Sequence, residues 1–417
     1  MIASGLKGPI PSSISVLEKL TDLRISDING TIQAFPELRN MISLTRIILR
    51  NCNISGEIPD YIWRMNYLRI LDLSFNKLSG ELPTVISTES IKFIFLSGNL
   101  LSGNVPESIL KKGTNVDLSY NNFTRQSAEQ PACQTSDLNL NLFRSNLQES
   151  GLRAIRPCKE DFKCPRYGHS LYINCGGEDI GERDIVYEGD ADVDSGAARF
   201  FSSDNNNWGL SSTGDFMDDN DFLNTRYIAT WSSPNISALY TTARLSPLSL
   251  TYYRYCLENG NYTVRLHFAE TQFTNDKTYN SLGRRVFDIY IQDILVEKDF
   301  NIVAEAPGVV TPVIKKFNAS VTENILEIRF YWAGKGTTRI PATGVYGPLI
   351  SAISVDPNFI PRSEGGKARI ALIVVGVVVL CLIFLALGII WWRRYFKAKT
   401  GKEKGLGVIL CTNHCFR

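Results

Sequence analysis

Histidine is scarce in this chain: His169, His267 and His414 are the only three in 417 residues. A histidine-based metal centre or general base therefore has few places to be. Net charge is also missing, with 44 Lys and Arg against 42 Asp and Glu. That balance gives no global basic character for nucleic acid, which is not an expected partner. No Cys-x-x-Cys pair occurs, so neither a zinc site nor any other cofactor is expected. Kinase signatures are absent too: there is no Gly-rich phosphate loop, no H-R-D and no D-F-G. Gly334-Lys335-Gly336-Thr337 lacks the spacing of a P-loop. These absences leave no expected catalytic residue.

One long apolar run is present. Ile370 to Trp392 contains no charged residue, and about 20 apolar helical residues suffice to cross a bilayer. Arg393, Arg394, Lys397, Lys399, Lys402 and Lys404 crowd its C-terminal side, which is therefore expected to be cytoplasmic. Trp391, Trp392 and Tyr395 stand where interfacial aromatics belong. All six N-x-[ST] sequons, at Asn29, Asn53, Asn122, Asn235, Asn261 and Asn318, precede the run. Cys133, Cys158, Cys164, Cys175 and Cys256 lie on the same side and are disulfide candidates with their pairing open. The expected topology is single-pass, type I, with the N-terminal side extracellular at the plasma membrane. The opening MIASGLKGPIPSS has no basic-then-apolar secretion signal. A chain truncated at its start is the expectation that follows.

A repeat of about 22 to 24 residues fills the first third. Leu44–Leu49 leads to Ile54-Ser55-Gly56-Glu57-Ile58-Pro59, and Leu68–Asn76 to Leu78-Ser79-Gly80-Glu81-Leu82-Pro83. Ile91–Asn99 leads to Leu101-Ser102-Gly103-Asn104-Val105-Pro106, and Val116–Asn121 closes the series. In LxxLxLxxN the leucines of each short strand point inward and the residues between them face a concave surface. Asn76, Asn99 and Asn121 are expected to form a ladder on backbone groups; Cys52 takes that place in its repeat and is expected to be a buried thiol. The pattern resembles plant-type leucine-rich repeats, whose mark is the LSGxIP turn.

From Tyr167 the sequence becomes short alternating strands between Gly, Asn and Pro turns. Tyr262, Val264, Leu266 and Phe268 share one face, as do Phe287, Ile289 and Ile291, and Leu326, Ile328, Phe330 and Trp332. This predicts an antiparallel β-sandwich. Ser170–Gly177, Leu239–Arg244, Leu266–Glu270, Arg285–Ile291, Lys298–Ile302 and Gly347–Val355 are similar to successive malectin-domain motifs. Repeats, malectin motifs and one apolar run in this order resemble the ectodomain and transmembrane part of plant leucine-rich-repeat malectin receptor-like serine/threonine kinases. The resemblance implies fold more than ligand. The family's sugar-contacting Tyr-Phe pair stands here as Gln272-Phe273, a tyrosine as Leu245, an aspartate as Tyr346 and a loop tyrosine as Trp208. Glucose specificity is not expected to carry over.

The fold class expected is mixed: a leucine-rich-repeat solenoid, a malectin-type antiparallel β-sandwich and one transmembrane α-helix. Expected boundaries are 1–130 for partial repeats, 131–166 for a cysteine-bearing linker or cap and 167–357 for the malectin domain. A stalk over 358–369, the membrane helix over 370–392 and a short cytoplasmic tail over 393–417 complete the chain. Sugars are held by aromatic faces beside amides and carboxylates, which makes Asn207, Trp208, Gln272, Phe273, Tyr331, Trp332 and Tyr346 ligand-binding candidates; interior or interdomain packing is the other reading. Asp215-Phe216-Met217-Asp218-Asp219-Asn220-Asp221 holds enough oxygens for calcium, but its spacing favours a solvated loop, so no metal is expected. His267 alternates outward from its strand and is expected at the surface. The expected function is perception of an extracellular carbohydrate or peptide, with a co-receptor or homologous ectodomain as partner and the lipid bilayer as anchor. The alternative is an incomplete chain of a transmembrane kinase.

Overall fold

The computed structural model describes residues 4–86, 89–126, 129–134, 139–156, 158, 162–191, 197–203, 207–216, 227–231, 236–273, 283–306, 311–338, 345–361 and 365–406. Two compact units result, 1–359 and 360–417.

In the first unit, each LxL stretch forms a short strand, and neighbouring repeats pair in parallel. The order is Asp22–Ser26, Arg46–Arg50, Ile70–Asp72, Phe93–Phe95, Asn115–Asp117 and Asn139–Asn141. The last strand lies in the segment read from sequence as a linker or cap. It extends the solenoid because Leu142 drops into the same interior as the repeat leucines. On the opposite side of the ladder, Gln33–Ala34, Ile54–Gly56, Lys77–Glu81 and Leu100–Ser102 form a second sheet. Gly80 and Gly103 take positive φ there, and a Cβ on either would strike the Glu57 or Glu81 side chain of the preceding repeat. Pro11, Pro59 and Pro106 each stand just before a 3₁₀ turn, where a missing N–H costs nothing.

Asn76 shows how the ladder works. Its Oδ1 accepts from Cys52 N at 2.9 Å and Ile54 N at 3.1 Å. Its Nδ2 donates to Leu49 O at 2.7 Å and Leu73 O at 2.8 Å. Asn99 and Asn121 repeat the pattern. Cys52 is a buried free thiol, pushed up to about 12 by burial.

The sandwich has two six-stranded sheets. One runs Ile180–Glu182, Ile185–Gly189, Leu171–Asn174, Ala352–Pro357, Gly260–Phe268, Val313–Val321. The other runs Ala198–Ser203, Trp208–Thr213, Ser249–Tyr255, Ile325–Tyr331, Phe287–Ile291, Ile294–Phe300. Alternation sets the core as the sequence predicts. Tyr262, Val264, Leu266 and Phe268 are fully buried, and Phe268 meets Phe300 at 4.8 Å between ring centroids.

Two expectations change here. His267 is on the outer face of its strand, yet the turn Ala238–Tyr240 covers it and leaves it 7% exposed. Its ring bonds Tyr240 Oη and Ser354 Oγ, each at 2.9 Å, and burial lowers it to about 4. Among the five disulfide candidates, Cys133 bonds Cys158 and Cys164 bonds Cys256. Cys175 is instead a buried thiol. It sits in the sandwich core beside Tyr252 and Asp190, where burial holds the thiol form.

The second unit is a helix, Gly365–Leu406. At 1.5 Å per residue it is roughly 63 Å long, about twice a bilayer core. The stretch able to cross a membrane within it is Val374–Lys397. Every apolar side chain described along it is exposed.

Candidate functional site

By its repeat pattern alone the solenoid's concave face suits contacts with a peptide or co-receptor ectodomain. The sandwich covers it. Alternation points Ile47, Leu49, Leu71 and Ile94 into the solenoid interior and Ile48, Ile70, Phe93 and Phe95 the other way. These four join the sandwich core. Burying each is worth roughly 1.5–3 kcal/mol, so the seam is held mainly by apolar contact.

Polar groups fix its register. Arg50 and Asp72, side chains 1% exposed each, form a buried ion pair, with Arg50 Nε donating to Asp72 Oδ2 at 2.9 Å. Arg50 Nη2 also donates across the seam to Asp215 O at 3.3 Å. Tyr120 Oη lies 3.0 Å from Thr251 Oγ1 and donates to Glu327 Oε1 at 3.2 Å. Arg144 meets both Glu327 and Asp293 at 2.9 Å. Burial raises the Glu327 carboxyl, and the Arg144 guanidinium opposes that rise. Asn141 Nδ2 donates to Ser211 Oγ at 2.9 Å, and Phe75 packs on Tyr331 at 4.9 Å.

The seven ligand-binding candidates divide by position. Gln272, Phe273, Trp332 and Tyr346 meet at one end of the sandwich, around Arg285. That arginine donates to Glu270 Oε2 at 2.7 Å, Gly347 O at 2.7 Å and Gln272 Oε1 at 2.9 Å. Its guanidinium lies over the Phe273 ring at 5.2 Å. Trp332 packs on Tyr346 at 4.9 Å, and Tyr346 on Phe216 at 5.2 Å. Tyr331 faces Phe75 of the solenoid. Asn207 and Trp208 stand apart: Asn207 immediately precedes the strand Trp208–Thr213, and the Trp208 indole N–H donates to Glu188.

Trp208, Phe273, Trp332 and Tyr346 are 3%, 2%, 1% and 1% exposed. Their ring faces are taken up by protein, so a sugar has none of them to stack on. Asp204, Asn205, Asn206 and Met217 to Asp221 lie outside the described residues, as does the sequon Asn235. The sequons Asn29, Asn261 and Asn318 are exposed, and Asn53 and Asn122 half-buried.

The malectin domain family matches residues 169–353, and leucine-rich repeats match 43–65 and 67–88. The chain is 54% identical over 328 residues to the probable LRR receptor-like serine/threonine-protein kinase RFK1 of Arabidopsis thaliana, covering 77% of this chain and 32% of that one. Another probable LRR receptor-like serine/threonine-protein kinase of that plant is 46% identical over 346 residues, covering 81% and 33%. The chain thus spans about a third of the length of these relatives. Among solved structures, the plant receptor-like kinase FER is similar at 20% identity with TM-score 0.29, covering 46% of this chain and 44% of that one. With both domains matched and the relatives aligned over this part, the chain belongs to the plant leucine-rich-repeat malectin receptor-like serine/threonine kinase family through its repeats and malectin domain, and it carries one helix apolar enough to cross a membrane.

Proposed function

We propose that residues 1–359 are the extracellular recognition unit of a single-pass plasma-membrane receptor. The observation that carries this reading is the helix after them, with uncovered apolar side chains and Arg393, Arg394 and Lys397 at its far end. Because the sandwich fills the concave face, recognition belongs to the outer surfaces of a joined solenoid and sandwich. A wall carbohydrate on the malectin part would meet the rims of the loops carrying Gln272 and Lys335, beside the filled interior. Calorimetric titration of residues 1–359 with wall oligosaccharides tests that part, and silence toward all of them rejects it.

Topology is tested with tags on intact plant cells. An N-terminal tag is expected to be accessible from outside and a C-terminal tag only after permeabilisation; the reverse pattern refutes the reading. A second reading is favoured by the coverage of the relatives: the chain is part of a longer transmembrane serine/threonine kinase. Sequencing transcripts past the codon for Lys399 decides it.

A further inference from the structure

The solenoid has two flanks of different character. Entry to each strand comes through segments 16–21, 39–45, 64–69, 89–92 and 111–115. These carry seven cations against two carboxylates, Glu18 and Glu89, and no sequon, while Asp60, Glu107 and Glu37 (which pairs with Arg39) lie just ahead of them. On the exit side, segments 27–34, 51–57, 75–81, 98–104 and 121–125 carry Asp27, Glu57 and Glu81 against Lys77 and Arg125. That side also holds Asn29, Asn53 and Asn122, which fall at one repeated position just past the ladder residue.

On the entry flank, Arg64, Arg69, Lys92, Lys111 and Lys112 are all exposed. Backbone bonds place Arg69 and Lys92 at the same point of successive repeats, Lys92 N donating to Arg69 O at 2.8 Å, with Lys111 and Lys112 just before Asn115, whose N donates to Lys92 O at 2.7 Å. Neighbouring strands are about 4.8 Å apart, close to the length of one sugar residue in an extended chain. Tyr67 lies between Arg64 and Arg69, 63% exposed.

We propose that this flank binds a linear polyanion of sugar acids laid across the repeats. Arg69 and Lys92 one strand apart, flanked by Arg64, Lys111 and Lys112, suit a ligand whose carboxylates recur with its residues, and the exposed phenol gives one pyranose face a surface to rest on. The site lies outside the covered concave face. It rests on the reading that residues 1–359 face the cell wall.

The test is binding of the full chain, in detergent, to immobilised polygalacturonate, with the fully methyl-esterified polymer and polyglutamate alongside. Polygalacturonate is expected to bind, with affinity falling steeply as salt rises from about 0.05 to 0.5 M. Arg64→Glu with Lys92→Glu is expected to weaken it by about tenfold or more, and Lys77→Glu on the other flank to leave it unchanged. Equal binding of the methyl ester overturns the proposal, as does an unaffected double variant. Polyglutamate binding as tightly as polygalacturonate also overturns it and points to an acidic protein segment. Failure of the N-terminal tag to reach the cell surface would reject the receptor reading while leaving this binding result standing.

Discussion

Replacing Asp72 by Asn removes the charge opposite a guanidinium that is 1% exposed. Arg50 has Nε and Nη2 on Asp72 Oδ2 and donates across the seam to the Asp215 carbonyl, with the Asp27 carboxylate acting on it as a weaker partner. Breaking a buried pair on one side typically costs about 3–5 kcal/mol, because the remaining charge stays desolvated. Against a usual total of about 5–15 kcal/mol, that is roughly a fifth or more of the stability. In urea, with a slope of about 2–3 kcal/mol/M, the midpoint is expected to fall by roughly 1–2 M. The assay is equilibrium unfolding of residues 1–359, with Trp63 reporting the solenoid and Trp208 and Trp332 the sandwich. One transition is expected in both reporters, shifted together, since the pair stands at the seam between them. Arg50→Met with Asp72→Leu is expected to recover much of the loss. A loss under about 1 kcal/mol, or a sandwich transition that does not move with the solenoid, refutes the seam as a coupling element.

Other outcomes follow from the same structure. His267 is lowered from 6.5 to about 4, so its neutral form is the one folding favours. Stability is then complete above pH 6.5 and lost as pH falls toward 4, by up to about 3 kcal/mol; His267→Gln should flatten that part of a stability–pH curve, and an unchanged slope assigns it to another group. Cys164–Cys256 closes a separation of 92 residues, and Cys164→Ser with Cys256→Ser is expected to cost about 4–5 kcal/mol in thermal or urea unfolding. Trp332→Ala should lose about 3–5 kcal/mol; a variant of wild-type stability that loses only glycan binding would return the residue to a ligand-contacting role.

The repeats were legible because their physics is local. An inward leucine every second residue and an amide that must reach backbone groups leave little freedom, and Asn76, Asn99 and Asn121 sit where spacing puts them. The sandwich core was legible for the same reason. The seam was not read, although a signal was present. Positions between the inward leucines of an open concave face should be polar, yet Ile48, Ile70, Phe93 and Phe95 are apolar and covered. His267 misled because alternation gives the face of a sheet and is silent on whether a turn folds over that face. Trp332 and Tyr346 carry aromatic chemistry that serves a sugar site or a core equally, and only packing distinguishes the two. Cys175 could not be told from its neighbours by count, since five candidates leave one over and spacing does not say which.

The strand Ala352–Pro357 pairs antiparallel with Leu171–Asn174 on one side and Gly260–Phe268 on the other. It is also the last strand before the chain enters the membrane-capable helix. Tension on its C-terminal end therefore reaches the sheet through an interior strand, which can leave only by giving up its hydrogen bonds to both neighbours. The chain therefore leaves the sandwich from a strand held on both edges rather than from a free one.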